Sequence, residues 1–131
     1  MKFHTTDNAP QAIGPYSQAV EVGGIIYTSG QIALTPAGDM LENDIKIQTK
    51  QVLENLANVL EASGSNLQNV IKTTIFLANM DDFLAVNTIY AEYFGDHKPV
   101  RSTVAVKTLP KNALVEIDAI AKIENSNNYS Y

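Results

Sequence analysis

The sequence contains no cysteine and no tryptophan. The first absence removes disulfides, thiolate nucleophiles and most structural zinc sites together. Positive charge is scarce as well: nine lysines and arginines stand against fourteen acids, for a formal net charge of −5. That balance argues against a basic footprint for nucleic acid, and no basic amphipathic segment points to a membrane surface. Long apolar runs are missing, with nothing near the roughly 20 residues of a membrane span. The opening MKFHTTDNAP has no apolar signal core, so the expected location is cytoplasmic. His4 and His97 lack ligand spacing, so no metal site is expected. Phosphate-loop, dinucleotide and nucleophile-elbow motifs are absent too.

What is there has the composition of one globular domain, 45% hydrophobic and 18% charged over 131 residues. The domain is expected over 1–123, with a polar tail at 124–131. SQAVEVGGIIYTS, 17–29, reads as two short strands around Gly23-Gly24. A helix follows from an Asn43 N-cap, with Ile45, Val52, Leu56 and Val59 on one face and Gly64 as its stop. VIKTTIFLA, 70–78, is a β-branched strand, and Asn79 then caps a second helix running to Gly95. Two more strands follow, KPVRSTVAV at 98–106 and ALVEIDAIAKI at 113–123.

The order β-β-α-β-α-β-β predicts an α+β domain with both helices on one face of the sheet. Alternation then sorts the strand residues. Ile71, Ile75 and Leu77 are expected toward the helices, as are Val100, Ser102, Val104 and Val106, and Val115, Ile117, Ala119 and Ala121. Arg101, Thr103 and Ala105 would then share the far face with Leu114, Glu116, Asp118 and Ile120. A half-apolar face carrying a few charges suits a subunit interface with a polar site, so an oligomer is expected.

Arg101 is the only arginine, and it sits inside a strand. Its fork can grip a carboxylate with two parallel hydrogen bonds, which lysine cannot copy. By parity Glu116 shares its face, as a base or water-positioning group; an inert Arg–Glu ion pair explains the same two residues equally well. Reading the last two strands as a hairpin would set them opposite each other. IGPYSQA, 13–19, presents Tyr16 on a Pro-anchored turn, or simply packs it. Ser29 and Gly30, at a strand end, could offer N–H groups to an anion or make a bend. Asn87 interrupts the stripe of the second helix.

IGPYSQA (13–19), YTSGQI (27–32), VNTIYAEYF (86–94), PVRSTVAV (99–106) and LPKNALVEIDAIA (109–121) together resemble the RidA/YjgF family of reactive-intermediate deaminases, over about residues 3 to 123. The resemblance implies a chorismate-mutase-like fold, a six-stranded mixed sheet with two helices on one face, and a homotrimer with sites in clefts between subunits. It implies hydrolysis of 2-enamine and 2-imino acids such as 2-aminoacrylate and 2-aminocrotonate to 2-keto acids and ammonia, with no cofactor. It assigns the substrate-carboxylate arginine to Arg101 and the water-positioning glutamate to Glu116. Tyr16, Ser29, Gly30, Gln31 and Asn87 match the remaining site positions, Ser29 to Gln31 as backbone anion contacts. Thr103 stands where many relatives carry cysteine, so no thiol at that position takes part here; its hydroxyl is expected to bind substrate, lining the pocket or polarising water, without acting as a nucleophile. In that fold the last strand inserts between earlier ones, which replaces the hairpin. Three competing readings stand beside it: a non-catalytic regulator binding a small carboxylate or a partner protein in the same cleft, a ribonuclease disfavoured by the acidic balance, and a chorismate mutase by fold analogy alone.

Overall fold

The computed structural model describes residues 1–124, so the expected tail, Glu124 apart, lies outside the described residues. Helix α1, Ile45–Ala62, starts at Asp44 rather than Asn43. The Asp44 carboxylate accepts hydrogen bonds from the Lys46 and Ile47 amides at 2.9 and 3.0 Å. Such a cap satisfies two orphan donors and is worth about 1 kcal/mol. Asn79 caps not the second helix but a 3₁₀ turn, Met80–Asp82, which leads into α2, Phe83–Phe94. Gly95, at φ 62°, ends α2.

The strands are β1 (Lys2–His4), β2 (Ala19–Val22), β3 (Ile25–Thr28), β4 (Val70–Leu77), β5 (Val100–Ala105) and β6 (Val115–Lys122). They form one mixed sheet in the order β1-β2-β3-β6-β4-β5. Strand β6 therefore lies between β3 and β4, and the hairpin reading fails. Only β4 and β5 are parallel, joined through α2 as a parallel pair requires. Strand β1, three residues long, is too short for an alternation pattern to reveal. The core joins α1 side chains such as Leu53 and Leu56 to Ile26, Ile75, Leu77 and Ile117, each fully buried. No helix among the described residues is long and apolar enough to cross a membrane.

The faces differ from expectation at two places. Strand β6 behaves as predicted, with Val115, Ile117, Ala119 and Ala121 buried. On β4 an irregularity between Val70 and Lys72 turns Ile71 outward, 44% exposed, and buried Thr73 takes the inward place. On β5 the assignment is reversed. Its parallel register sets Arg101 beside Thr73 and Thr103 beside Ile75, so both share the helix face. Val100 and Val104 face the uncovered side, 64% and 46% exposed. Apolarity misled here because these valines do not belong to the core of this chain.

Candidate active site

Two cavities hold the candidate residues, and they lie apart. The first, about 510 Å³, is lined by Tyr16, Ser29, Gly30, Gln31 and Glu116, together with Lys111 and others. Its shape follows from a break in β3. Tyr27 pairs with Ile120, whereas Gln31 bridges to Ile117, four residues forward on one strand against three back on the other. The extra residue is a bulge, a device that bends a strand and re-aims its neighbours. It brings Gly30 against Glu116: a Cβ built on Gly30 would stand 2.3 Å from Glu116 Oε2. A larger residue there would force the Glu116 carboxylate or the bulge to shift.

Two of the three amides of the SGQ segment are already engaged within the chain. The Ser29 amide donates to Gln18 O and the Gln31 amide to Ile117 O, both at 2.9 Å. Of the three, only the Gly30 amide makes no hydrogen bond among the described residues. The Ser29 hydroxyl donates to Ser17 O. Buried side chains hold the cavity walls. Asn55 of α1 donates to Ile32 O and Leu34 O at 3.2 and 2.8 Å, docking the segment after the bulge. Gln18 accepts from the Thr6 amide and donates to Pro10 O, both at 2.7 Å, fixing the N-terminal loop. Tyr16, 54% exposed, stands at the mouth, with its hydroxyl 3.4 Å from the Ile13 amide.

Glu116 is half-buried on the uncovered face. Burial pushes its carboxyl above the ordinary 4.5, and the nearby Asp118 carboxylate adds to the shift. Burial raises Asp118 as well, opposed by Lys72 and by hydrogen bonds from Thr74. A carboxylate so placed is a stronger base than an exposed one.

Arg101 and Asn87 line the second cavity, about 520 Å³, with Tyr90, Phe94, His97 and Lys98. Arg101 Nη1 donates to Asn87 Oδ1 at 2.8 Å. Its Cζ lies 5.5 Å from the Phe83 ring centre and 5.1 Å from that of Tyr90. Each cation–π contact contributes about 0.5–1 kcal/mol at an exposed site. Tyr90 in turn shares a 2.7 Å hydrogen bond with Thr73. Thr103 Oγ1, on the same face, is buried and has no hydrogen-bond partner among the described residues. Sequence reasoning singled out Asn87 and missed Phe83, Tyr90 and Thr73. The signal was present: positions 83, 87 and 90 follow helical spacing and form one face of α2.

Arg101 and Glu116 thus occupy opposite faces of the sheet, since Arg101 is registered with Thr73 toward the helices and Glu116 with Phe76 away from them. Within one chain they form neither an ion pair nor a shared pocket.

One half is an oriented cation over a cavity, the other a carboxyl raised in pKa beside a glycine. The family described as Endoribonuclease L-PSP matches residues 6–123. A RutC family protein of Pyrococcus horikoshii is 52% identical over 117 residues, 88% of this chain and 93% of that one. The mouse 2-iminobutanoate/2-iminopropanoate deaminase is 47% identical over 121 residues, 92% of this chain and 90% of that one. Among solved structures, E. coli TdcF with bound serine superposes with a TM-score of 0.89 at 38% identity, covering 95% of this chain and 100% of that one. The chain belongs to the RutC/RidA/YjgF family, which includes enamine and imine deaminases.

Proposed function

We propose that this protein hydrolyses reactive 2-enamine and 2-imino acids to 2-keto acids and ammonia, in sites built from two copies of the chain. The observation that carries this reading is the split site. Each copy offers an oriented Arg101 without a base and a Glu116 without its clamp, on opposite faces. A head-to-tail ring lets every copy use both halves, and the homotrimer that the family resemblance implies would be such a ring. The uncovered face has apolar surface for it, with Phe3, Tyr27, Val100 and Val104 exposed across its width from one edge strand to the other.

The chemistry follows from the residues. Protonation of the enamine at its β-carbon gives the iminium, whose C=N carbon is electrophilic. Arg101 grips the α-carboxylate, each charge-assisted hydrogen bond being worth about 1.5–3 kcal/mol. Glu116 takes a proton from water as the oxygen bonds to that carbon. Glu116 returns that proton to the nitrogen, and the carbinolamine collapses: the C–N bond breaks to expel ammonia while the hydroxyl loses its proton to leave the keto acid. Glu116's raised pKa brings the base closer to neutral pH, where proton transfer is most effective. Tyr16 closes the mouth, the Gly30 amide is left to contact the substrate, and Thr103 lies on the Arg101 side. The bound serine of TdcF, an amino acid with an α-carboxylate, fits this substrate class. A non-catalytic carboxylate-binding role uses the same residues without turnover.

The test is keto-acid and ammonia release from 2-aminoacrylate generated in situ by a serine/threonine dehydratase, for wild type and Arg101→Ala. Acceleration by wild type that is lost in the variant supports the deaminase. No acceleration by wild type leaves the binding role.

A further inference from the structure

Arg101 is exposed on an edge strand, where a long side chain ordinarily samples many rotamers. Here three contacts specify its orientation. The Phe83 and Tyr90 rings, 5.5 and 5.1 Å from Cζ, constrain the guanidinium plane. The 2.8 Å bond from Nη1 to Asn87 Oδ1 sets the rotation within that plane. A guanidinium has five N–H donors in a rigid fork, and among the described residues no other hydrogen bond engages Arg101, so its Nε–Nη2 edge keeps two parallel donors. That edge is the one suited to a planar carboxylate.

Tyr90 is itself fixed. Its hydroxyl meets Thr73 Oγ1 at 2.7 Å, with the two residues 8% and 0% exposed. Thr73 is the registered neighbour of Arg101 on β4. The contacts therefore close a circuit from the strand pair through the helix and back to the guanidinium. Burial pushes the Tyr90 phenol above its ordinary 10.0, opposed by the Thr73 bond and Arg101, so it remains protonated through the neutral range. Tyr90 also stacks on Phe94 at 4.4 Å, and packing alone would need only the ring.

We infer that the Thr73–Tyr90 hydrogen bond is a strut that orients the Arg101 clamp and makes it selective for planar carboxylates. Thr73 and Tyr90 are positioning residues; neither touches substrate. The inference rests on the proposed function for its substrate class, but its readout does not require turnover.

The experiment compares wild type with Tyr90→Phe, Thr73→Val, the double variant and Thr73→Ser. It measures Kd for 2-oxobutanoate by calorimetry, KM and kcat for 2-iminobutanoate generated in situ, and Tm. Losing one buried hydrogen bond is expected to weaken Kd and raise KM about tenfold while kcat stays within about twofold. The double variant should be no worse than either single one, because both break the same bond. Thr73→Ser keeps the hydroxyl and should retain the wild-type Kd. A lower Tm with unchanged Kd and KM in Tyr90→Phe and Thr73→Val would reduce the pair to core packing and overturn the inference. Should those buried variants fail to fold, Asn87→Asp on the helix surface decides. Its carboxylate pairs with Arg101 and should weaken 2-oxobutanoate binding at least tenfold, and an unchanged Kd overturns the orienting circuit. A wild type that binds 2-oxobutanoate without turnover removes the deaminase reading alone, and the Kd series still judges the strut.

Discussion

The cavity around Glu116 and the cavity around Arg101 are nearly equal in volume, about 510 and 520 Å³, yet they are built in opposite ways. The Glu116 cavity is made by backbone: a bulge, a glycine that yields space to a carboxylate, and loops tied down by Asn55 and Gln18. The Arg101 cavity is made by side chains: two aromatic rings and an amide from one helix hold a flexible cation in place. A base needs desolvation and room for water, which strand geometry provides. A clamp needs direction, and direction comes from packed neighbours. One sheet carries both devices on opposite faces, so under the proposed function one chain supplies only half of each site.

The largest effect should come from separating the halves. Glu116→Gln is expected to lower kcat by about 10²–10⁴-fold, the usual worth of a general base. Arg101→Ala should lower kcat/KM by at least about 10²-fold through loss of a bidentate, charge-assisted pair. Refolded together in equal amounts, the two inactive variants should recover about a quarter of wild-type turnover, because in a head-to-tail ring that fraction of sites receives both intact halves. Recovery of nothing would place both halves of a working site in one chain and break the comparison.

Gly30→Ala attacks the backbone-built half alone. The added methyl, 2.3 Å from Glu116 Oε2, forces the base or the bulge to move. A displacement near 1 Å costs roughly 10²-fold in rate. We expect that order of loss in kcat, with Arg101-dependent binding of a keto acid retained in calorimetry. Equal loss of binding and turnover would mean that the bulge supports both cavities.

The split between backbone and side-chain construction also explains what the sequence made legible. The helices, five of the six strands and the inward set of β6 follow from periodicity, because they face this chain's own core. The face of Arg101 did not. Val100, Val104 and Val106 look like a core stripe, and alternation placed Arg101 opposite them. Val100 and Val104 face outward, and the parallel register with β4 decides the matter. A pattern rule that equates apolar with inward fails on a face awaiting another surface. Arg101 and Glu116 could be named as candidates from residue chemistry and family resemblance, but their separation required strand register. The Gly30–Glu116 contact depends on one extra residue in a bulge, which no local signal fixes.

Stability against pH sharpens the account of Glu116. Its folded-state pKa is raised, so the native protein holds the proton more tightly than the unfolded chain. The unfolded state then binds fewer protons over the window above 4.5, and stability falls as pH rises through it. Removing the charge should reverse this. Glu116→Gln is expected to melt higher than wild type at pH 7, with the difference shrinking as the pH approaches 4.5 from above. A difference that stays constant with pH would mean that the carboxylate pays no desolvation penalty in the folded protein.

The smallest expected effect is at Thr103, and it probes the other half. Its hydroxyl is buried without a partner among the described residues, on the helix face with Arg101. An unsatisfied buried hydroxyl costs about 1–3 kcal/mol, and replacement by an apolar group of similar shape removes that penalty. In the dissociated chain Thr103→Val should therefore gain about 1 kcal/mol in urea unfolding. In the assembled protein the hydroxyl has two possible partners, a polar group of the neighbouring copy or the bound substrate. A neighbouring-copy partner predicts that the gain becomes a loss on assembly, with KM unchanged. A substrate partner predicts that the gain persists and KM rises. The sign of one stability difference, read beside KM, thus assigns the orphan hydroxyl to the interface or to the ligand.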